Sequence, residues 1–477
     1  MTESLRFAKN LGVLYSAEIV SHVIGFIVSV YIARVFGSEA FGQISFSLVL
    51  LSYFVLFTNF GLATYGIKEV SHNVKRTTSI ASTLILIQAV LSIIAYSVLI
   101  ILITAVWGHF PSEKKYLILI LGLSMFPTVF DLTWVFMGHE KMEFRAIAYS
   151  IRYLTYALIV FLFLPIRSTI ITVGIAYLSS TVIMALFSTS AYLKSFHSFR
   201  FVQSDLAANL KIFLRGALPI GWATLMSRVY YNFDTLMLSF LRSDQVVGWY
   251  SAAYRIVLVL TGIAGIYGMV YLPALTKRIR VSKSAAKALV NRSFKILLSF
   301  SVPITVGGIL LSSHIIKFIF GEQYLEAIVP FQILLIAVLI IFTSVVFSYA
   351  MISLGKQKQL AIYSTLAAVF NVGLNFLVIP RYGAVGAAIT TVISEATVFT
   401  GVYYVLRKEM LAPSLVFFLR PVVAAGCMAA PILLKISGDL IILLLLSILV
   451  YVTVLYIIGG ISNEDLHLIK QILRRKV

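Results

Sequence analysis

The sequence predicts an all-α integral membrane protein with about 14 transmembrane helices. Long apolar runs fill the chain from residue 10 to residue 460, and few connections between them are long enough to fold alone. Hydrophobic residues make up 60% of the chain and charged residues 12%, against roughly 45–50% and 25% in soluble domains. The runs are continuous and lack the alternating polar residues of barrel strands, so helices are predicted to cross the bilayer.

Each predicted crossing is long enough to bridge the hydrocarbon core. A helix rises about 1.5 Å per residue, so a core of roughly 30 Å needs about 20 apolar residues. The runs lie near 10–36, 41–66, 78–106, 116–137, 147–165, 168–193, 212–241, 245–273, 293–316, 326–353, 360–379, 384–406, 413–434 and 439–460. No small-residue cleavage site follows the first run, so we interpret it as an uncleaved helix rather than a signal peptide.

The distribution of lysines and arginines predicts how the helices are oriented. With a cytoplasmic N-terminus, the inner connections carry 28 of the 38 Lys and Arg residues and the outer connections carry 8. Cytoplasmic loops are enriched in these residues, so both termini are predicted to be cytoplasmic. The predicted location is the inner (plasma) membrane, with multiple crossings.

The net charge of +20 does not indicate nucleic-acid binding, because most cations fall beside the membrane. The densest basic stretch, Lys277 to Lys295, has seven cations and no acid, and we interpret it as a retention signal next to anionic lipids. The single cysteine, Cys427, excludes an internal disulfide and a cysteine cluster for a metal. The sequence has no Walker A, HExxH or dinucleotide-binding pattern and no GxSxG with a plausible triad. We therefore predict no catalytic site, no cofactor and no metal.

Two six-helix lobes and a C-terminal helix pair form the predicted architecture. The polar connection Ser195–Lys211 follows the sixth crossing, and the turns 36–42 and 241–250 each join a Ser-acid pair to a Gly that opens the next helix. Six crossings return the chain to the same side, so such repeats would be parallel, related by a pseudo-two-fold axis along the membrane normal. The predicted parts are 1–200 and 201–410 for the lobes and 411–477 for the helix pair and cytoplasmic tail.

Two arginines at similar membrane depth are the leading candidates for substrate binding. An ionisable side chain in the bilayer costs roughly 2.5–3.5 kcal/mol or more. Arg228 lies about 20 Å before the outer turn at Arg242–Asp244, measured along the seventh crossing. Arg255 lies about 16 Å after that turn, measured along the eighth. A planar guanidinium binds phosphate oxygens in pairs, which suits a pyrophosphate. The alternative is that each arginine pairs with an acid of another helix, such as Glu18.

Polar groups next to the first arginine are candidates for binding sugar. Tyr231 and Asn232 follow Arg228 in the same predicted helix. An aromatic ring with a polar tip can stack on a sugar and donate a hydrogen bond to it. Packing or an interfacial position is the alternative.

Five other ionisable residues at membrane depth are candidates for ion coupling or gating. Glu18 and His22 share a face of the first helix. They could form a protonation switch, and the alternative is a hydrogen-bonded pair that stabilises the interface between the lobes. Asp131 lies roughly 9 Å from the inner end of the fourth crossing, where contact with inner water is the alternative. Asp234 lies towards the outer mouth and Glu395 near mid-depth, each with a structural contact as the alternative.

Several motifs resemble one known family. Residues Pro380 to Glu395, PRYGAVGAAITTVISE, resemble the turn between helices eleven and twelve of the Wzx-like polysaccharide flippases. Their superfamily also holds the multidrug/toxin extruders and the lipid II flippase. Shorter matches are Asn59-Phe60-Gly61-Leu62, Trp134 with Gly138, Lys141 and Met142, Asp234 followed by Gly248 and Tyr250, and Leu354-Gly355-Lys356. Together they cover roughly the first 410 residues.

The resemblance implies a transporter that flips undecaprenyl-pyrophosphate-linked oligosaccharide to the outer leaflet by alternating access, for O-antigen, capsule or exopolysaccharide. The implied partners are the lipid-linked oligosaccharide, membrane lipids, and the polymerase and glycosyltransferases of the same pathway, with no nucleic acid. One alternative is an ion-coupled small-molecule exporter of the same fold, although paired arginines disfavour a cationic substrate. A membrane glycan polymerase or ligase is a second alternative, which the short predicted outer connections disfavour.

Overall fold

The computed structural model describes residues 3–196, 206–434, 436 and 439–460. All regular structure in these ranges is helical, which confirms the all-α prediction for them. Residues 197–205 of the predicted polar connection and the predicted cytoplasmic tail from residue 461 lie outside the described residues.

Packing divides the chain into two units, Met1–Gly248 and Trp249–Val477. The helices of the first unit are α1 (Glu3–Asn59), α2 (Leu62–His72), α3 (Thr77–Ile101), α4 (Ser112–Leu123), α5 (Met125–Thr128), α6 (Thr133–Gly138), α7 (Met142–Phe163), α8 (Ile170–Phe196) and α9 (Leu206–Leu241). A one-turn π-helix, Leu102–Val106, extends α3. The core of this unit packs α2, α3 and α6 together around Leu62, Leu84 and Trp134.

The second unit begins within α10 (Asp244–Val281). Its other helices are α11 (Lys283–Leu310), α12 (Ser312–Phe320), α13 (Ile328–Ser353), α14 (Gln357–Lys408), α15 (Leu419–Leu433) and α16 (Leu440–Ile457). The predicted domain boundaries at residues 200 and 410 describe internal repeats and stay a prediction.

Two long helices are each broken at a glycine where the sequence predicts a turn. Gly37 has φ 79° inside α1, and Gly383 has φ 53° inside α14. A Cβ on Gly386 would lie 2.9 Å from the carbonyl oxygen of Val378, eight residues earlier, whereas a straight helix separates such residues by about 12 Å. The chain therefore folds back on itself at Gly383, and the two halves of α14 form a helical hairpin.

Two predicted crossings are interrupted. The run 41–66 stops at Asn59 because Phe60 and Gly61 have positive φ; the Asn59 side chain then accepts a hydrogen bond from Ala63 N–H at 2.9 Å and caps α2. The run 116–137 is divided into α4, α5 and α6, with a break that contains Asp131. Continuous hydropathy does not reveal such breaks, because the segments stay apolar through them.

Ten helical segments of the described chain are long and apolar enough to cross a bilayer, by length and composition. Two of these segments, Glu18–His72 and Gln357–Lys408, contain the breaks at Gly37 and Gly383. A shorter apolar helix covers Ile441–Ile457. The count of fourteen crossings stays a prediction.

Candidate substrate-binding residues

Arg228 lies on α9 with an exposed side chain. Its carbonyl oxygen accepts a hydrogen bond from the Tyr53 hydroxyl at 3.0 Å, which joins α1 to α9 within the first unit. The guanidinium itself makes no hydrogen bond or ion pair with the described residues. The alternative partner Glu18 is not paired with Arg228 there. A cation in this position is available to an anion.

The two predicted sugar-binding residues lie next to this arginine on α9. Tyr231 is 49% exposed, and its ring lies edge-on to that of Tyr230, with the centroids 5.0 Å apart. Asn232 is half-buried, and its amide nitrogen lies 3.5 Å from the Arg228 carbonyl oxygen. One exposed patch of α9 thus presents a cation, an aromatic ring and an amide.

Arg255 lies on α10 in the second unit and is half-buried. On the same helix, the rings of Tyr250 and Tyr254 stack with centroids 5.6 Å apart. Because Arg228 belongs to the first unit and Arg255 to the second, their joint action on one pyrophosphate stays a prediction.

The predicted coupling residues on the first unit differ in environment. Glu18 is half-buried and His22 is exposed on α1, and no hydrogen bond or ion pair joins these two side chains. Asp131 lies between α5 and α6, where a carboxylate oxygen accepts a hydrogen bond from Thr133 N–H at 3.1 Å. The carboxylate of Asp131 therefore stabilises the start of α6, and its part in ion coupling or gating stays a prediction.

Asp234 and Glu395 are both buried, at 3% and 7% exposure. Near Glu395 along α14, a buried polar network crosses the hairpin: Asn375 donates to the amide oxygen of Asn371, and the Thr390 hydroxyl donates to that of Asn375. Buried amides and hydroxyls that satisfy one another hold helices in one register. The network therefore supports a structural role for this part of α14.

Sequence reasoning missed Arg152, which was counted among the inner connections. It lies in the middle of α7, about 15 Å from the start of the helix, and its guanidinium is 4.9 Å from the Tyr177 ring centroid. Asp131 and Tyr149 are in electrostatic range, but Arg152 makes no hydrogen bond or ion pair with the described residues. The signal was available, since the predicted crossing 147–165 contains this arginine.

A second missed group is a buried ion pair in the first unit. Lys114 on α4 is 2% exposed, and its ammonium donates to both carboxylate oxygens of Asp244, at 2.7 and 2.9 Å, and to the Ser239 hydroxyl at 3.1 Å. The same ammonium lies 4.2 Å from the Phe46 ring centroid and 4.1 Å from that of Phe110. Counting Lys114 as an outer-loop cation gave no sign of this burial.

No group of three or more His, Cys, Asp and Glu side chains in the described part of the chain is placed to hold a metal ion. Cys427 is exposed and unpaired.

The chain is similar to known proteins along most of its length. A family model described as "Polysaccharide biosynthesis protein" matches residues 7–279. The chain is 22% identical over 401 residues to a Shigella dysenteriae protein described as an O-antigen transporter, covering 82% of this chain and 97% of that one. It is also 22% identical over 409 residues to the capsular polysaccharide biosynthesis protein CapF of Staphylococcus aureus, covering 84% and 99%.

Solved structures share the fold. The lipid II flippase MurJ in an inward closed conformation superposes with a TM-score of 0.78 at 19% identity, covering 94% of this chain and 98% of that one. A multidrug resistance transporter of the MATE family, in an inward-facing conformation, superposes with a TM-score of 0.63 at 15% identity, covering 82% and 95%. These matches confirm the resemblance predicted from the motifs and the all-α membrane fold.

Proposed function

The chain belongs to the polysaccharide biosynthesis protein family, and from this premise we propose that it flips undecaprenyl-pyrophosphate-linked oligosaccharides for surface polysaccharide synthesis. The relatives described as O-antigen transporters and the likeness to the lipid II flippase support transport rather than enzymatic chemistry. The substrate moves from the cytoplasmic to the outer leaflet by alternating access.

The exposed guanidinium of Arg228 is the observation that carries this proposal. A permanent cation without a protein partner in the predicted crossing 212–241 is costly, so its retention favours an anionic ligand. A pyrophosphate offers adjacent oxygens that match the guanidinium fork in pairs. Arg228 binds the pyrophosphate, with Arg255 as the second cation.

The neighbours of Arg228 fit the rest of the substrate. Tyr231 presents an exposed ring and Asn232 an amide on the same helix, groups that stack on sugars and hydrogen-bond to hydroxyls. These two residues bind the glycan next to the pyrophosphate.

Ion coupling is assigned to Glu18, His22, Asp131, Asp234 and Glu395. His22 is exposed on α1, and Glu18 lies one turn away on the same helix. Vesicles that flip substrate equally with and without an imposed pH gradient would contradict proton coupling.

The proposed location is the inner membrane, with both termini cytoplasmic, and the proposed partners are the polymerase and glycosyltransferases of the same pathway. The Lys and Arg distribution supports this orientation. An ion-coupled exporter of small molecules is the competing function, since the fold is shared with a multidrug transporter. Drug resistance on overexpression, with normal surface polysaccharide in a deletion strain, would favour the exporter.

The test compares Arg228→Ala, Arg255→Ala and the double variant in a deletion strain complemented with each. We expect normal insertion, loss of surface polysaccharide, and accumulation of the lipid-linked intermediate on the inner leaflet. Losing one bidentate charged contact of about 1.5–3 kcal/mol lowers transport by roughly 10- to 150-fold. Polymer length distributions and extracted lipid-linked intermediates provide the measurement.

Arg167→Ala is the matched control, because Arg167 is exposed near the end of α7 and its side chain has no hydrogen bond or ion pair with described residues. Arg228→Lys separates charge from geometry, since an ammonium keeps the charge but loses the planar fork. Normal polymer from the double alanine variant would remove the phosphate-binding role.

A further inference from the structure

A large cavity lies within the second unit between α11 and the C-terminal helices α15 and α16. Its volume is about 1200 Å³, above the roughly 300–1,000 Å³ that small-molecule sites occupy. We propose that this cavity binds an anionic phospholipid, with the head group at its basic end and the acyl chains along α11.

The walls of the cavity suit hydrocarbon. Ile304, Pro303, Met428, Leu444 and Ile448 are among the residues that line it, and they come from α11, α15 and α16. From Lys295 to Gly308, both on the lining, α11 rises about 20 Å. This length exceeds half of the roughly 30 Å hydrocarbon core of the bilayer, so the cavity is long enough for an acyl chain that enters from one leaflet.

Cations gather at one end of this apolar cavity. Arg278, near the end of α10, lines it together with Arg292 and Lys295 from the first half of α11. A smaller pocket of about 160 Å³ adjoins this end, shares Lys295, and adds Arg420 from the start of α15. The amide oxygen of Asn291, also on the lining, is buried without a hydrogen-bond partner among described atoms. Phosphate oxygens complement the cations, and a glycerol hydroxyl of the head group donates to the Asn291 oxygen.

Charge and position favour a phospholipid over other occupants. The cluster belongs to the basic stretch 277–295, which the Lys and Arg distribution predicts to be cytoplasmic. Anionic phospholipids are concentrated in that leaflet, and basic pockets between transmembrane helices on that side bind their head groups. The polyprenyl phosphate of the transported lipid has the same phosphate chemistry, so the experiment compares the two lipids.

The experiment uses the full chain, purified in detergent and stripped of lipid. Cardiolipin, phosphatidylglycerol, phosphatidylcholine and undecaprenyl phosphate are titrated separately, with the unfolding midpoint and native mass spectrometry as readouts. We expect the two anionic phospholipids to bind and raise the midpoint, and phosphatidylcholine to bind much more weakly. Each cation next to an anionic lipid contributes about five-fold in affinity, so Lys295→Gln with Arg278→Gln weakens binding roughly 30-fold.

The matched control is Lys287→Gln with Arg280→Gln, which removes one lysine and one arginine from the same basic stretch away from the cavity lining. Ser447→Phe fills the apolar part without removing a hydrogen bond, because the Ser447 hydroxyl makes none with described atoms. It should also lower phospholipid binding. Equal binding of phosphatidylcholine, equal loss in the control pair, or tighter binding of undecaprenyl phosphate would overturn the proposal. The flippase assignment is tested separately by the polymer assay.

Discussion

At the scale of single residues, charged side chains within the helices are used in two different ways. Lys114 is almost fully buried, yet its ammonium is satisfied by Asp244, Ser239 and two aromatic rings. Arg228 and Arg152 instead have no hydrogen-bond acceptor among described residues. A cation that the protein neutralises is structural, and one that it leaves available is a candidate for ligand binding.

Replacing Lys114 by methionine tests the first use. The substitution removes the ammonium and leaves the Asp244 carboxylate without its counter-charge, so the free energy of unfolding falls by about 3–5 kcal/mol. Lys114→Met with Asp244→Asn should recover part of this loss. Lys115→Met is the control, since Lys115 is only half-buried. Denaturant unfolding in mild detergent measures all three, and equal losses for both lysines would contradict the buried ion pair.

His139, outside the membrane segments, predicts a pH dependence of stability. The Thr77 hydroxyl donates to the Val74 carbonyl at 2.6 Å and lies 3.0 Å from His139 Nε2, which donates to the Thr77 oxygen. Burial, with a contribution from Lys141, lowers the pKa of His139 from its ordinary 6.5. The unfolded chain therefore binds a proton more readily than the folded chain. The stability from neutral His139 is present above about pH 6.5 and is lost as the pH falls towards the lower folded pKa.

The measurement is the unfolding midpoint of wild type and His139→Gln between about pH 5 and about pH 8. The variant should show a weaker decline on acidification than wild type, and exposed His72→Gln is the matched control. Identical profiles for all three proteins would show that His139 does not contribute.

At the scale of elements, family-like motifs mark the joints between helices. A Cβ on Gly61 would lie 2.6 Å from the Ala217 carbonyl oxygen on α9, and a Cβ on Gly66 would lie 2.7 Å from the Trp134 ring. Real Cβ atoms essentially never approach another atom so closely, so both positions require glycine. The motif residues Gly61 and Trp134 thus fix helix packing, and the exposed residues of α9 carry the proposed binding.

The two repeated turns meet within the first unit in a reciprocal way. A Cβ on Gly42 would lie 1.6 Å from the carbonyl oxygen of Asp244, and one on Gly248 would lie 1.8 Å from that of Ser38. Asp244 is four residues before Gly248, and Ser38 is four residues before Gly42, so the two contacts are equivalent. A reciprocal contact of this kind is what a two-fold relation between the turns produces, and it supports the predicted parallel repeat.

Gly42→Ala and Gly248→Ala should each force these turns apart. Neither carbonyl is the end of a flexible side chain, so the backbone must move, at a cost of about 1–3 kcal/mol or more. Gly262→Ala in α10 is the control, because nothing lies within 4 Å of its Cβ, and helix propensity favours alanine by about 1 kcal/mol. Thermal unfolding in detergent measures the difference. Stability losses no larger than in the control would contradict the close contact.

At the scale of the whole molecule, apolar runs and turn residues were sufficient to predict the fold class and the breaks at Gly37 and Gly383. The interruptions near Gly61 and Asp131 were not predicted, since they depend on side-chain caps and on contacts with helices distant in sequence. For the site, the position of Arg228 within an apolar run predicts that it lies at membrane depth. The sequence did not show that Lys114 is paired, because a partner 130 residues away has no signature in local sequence.

Orientation is the property of the whole chain that the Lys and Arg distribution predicts most directly. If Arg152 is assigned to α7 instead of to an inner connection, the inner connections still carry far more Lys and Arg residues than the outer ones. The predicted orientation is therefore unchanged. Because Cys427 is the only cysteine, Cys427→Ser gives a background for single-cysteine labelling. Exposed Gln245, at the predicted outer turn, and exposed Ser284, in the predicted inner connection, are each replaced by cysteine.

A membrane-impermeant maleimide applied to intact spheroplasts should label Gln245→Cys and leave Ser284→Cys unlabelled until the membrane is permeabilised. Both positions lie at helix ends with exposed side chains, so a difference between them reports sidedness rather than burial. The opposite pattern would reverse the orientation, and the proposed phospholipid site would then face the outer leaflet. Equal labelling of both positions in intact spheroplasts would indicate mixed insertion, which the positive-inside distribution does not allow.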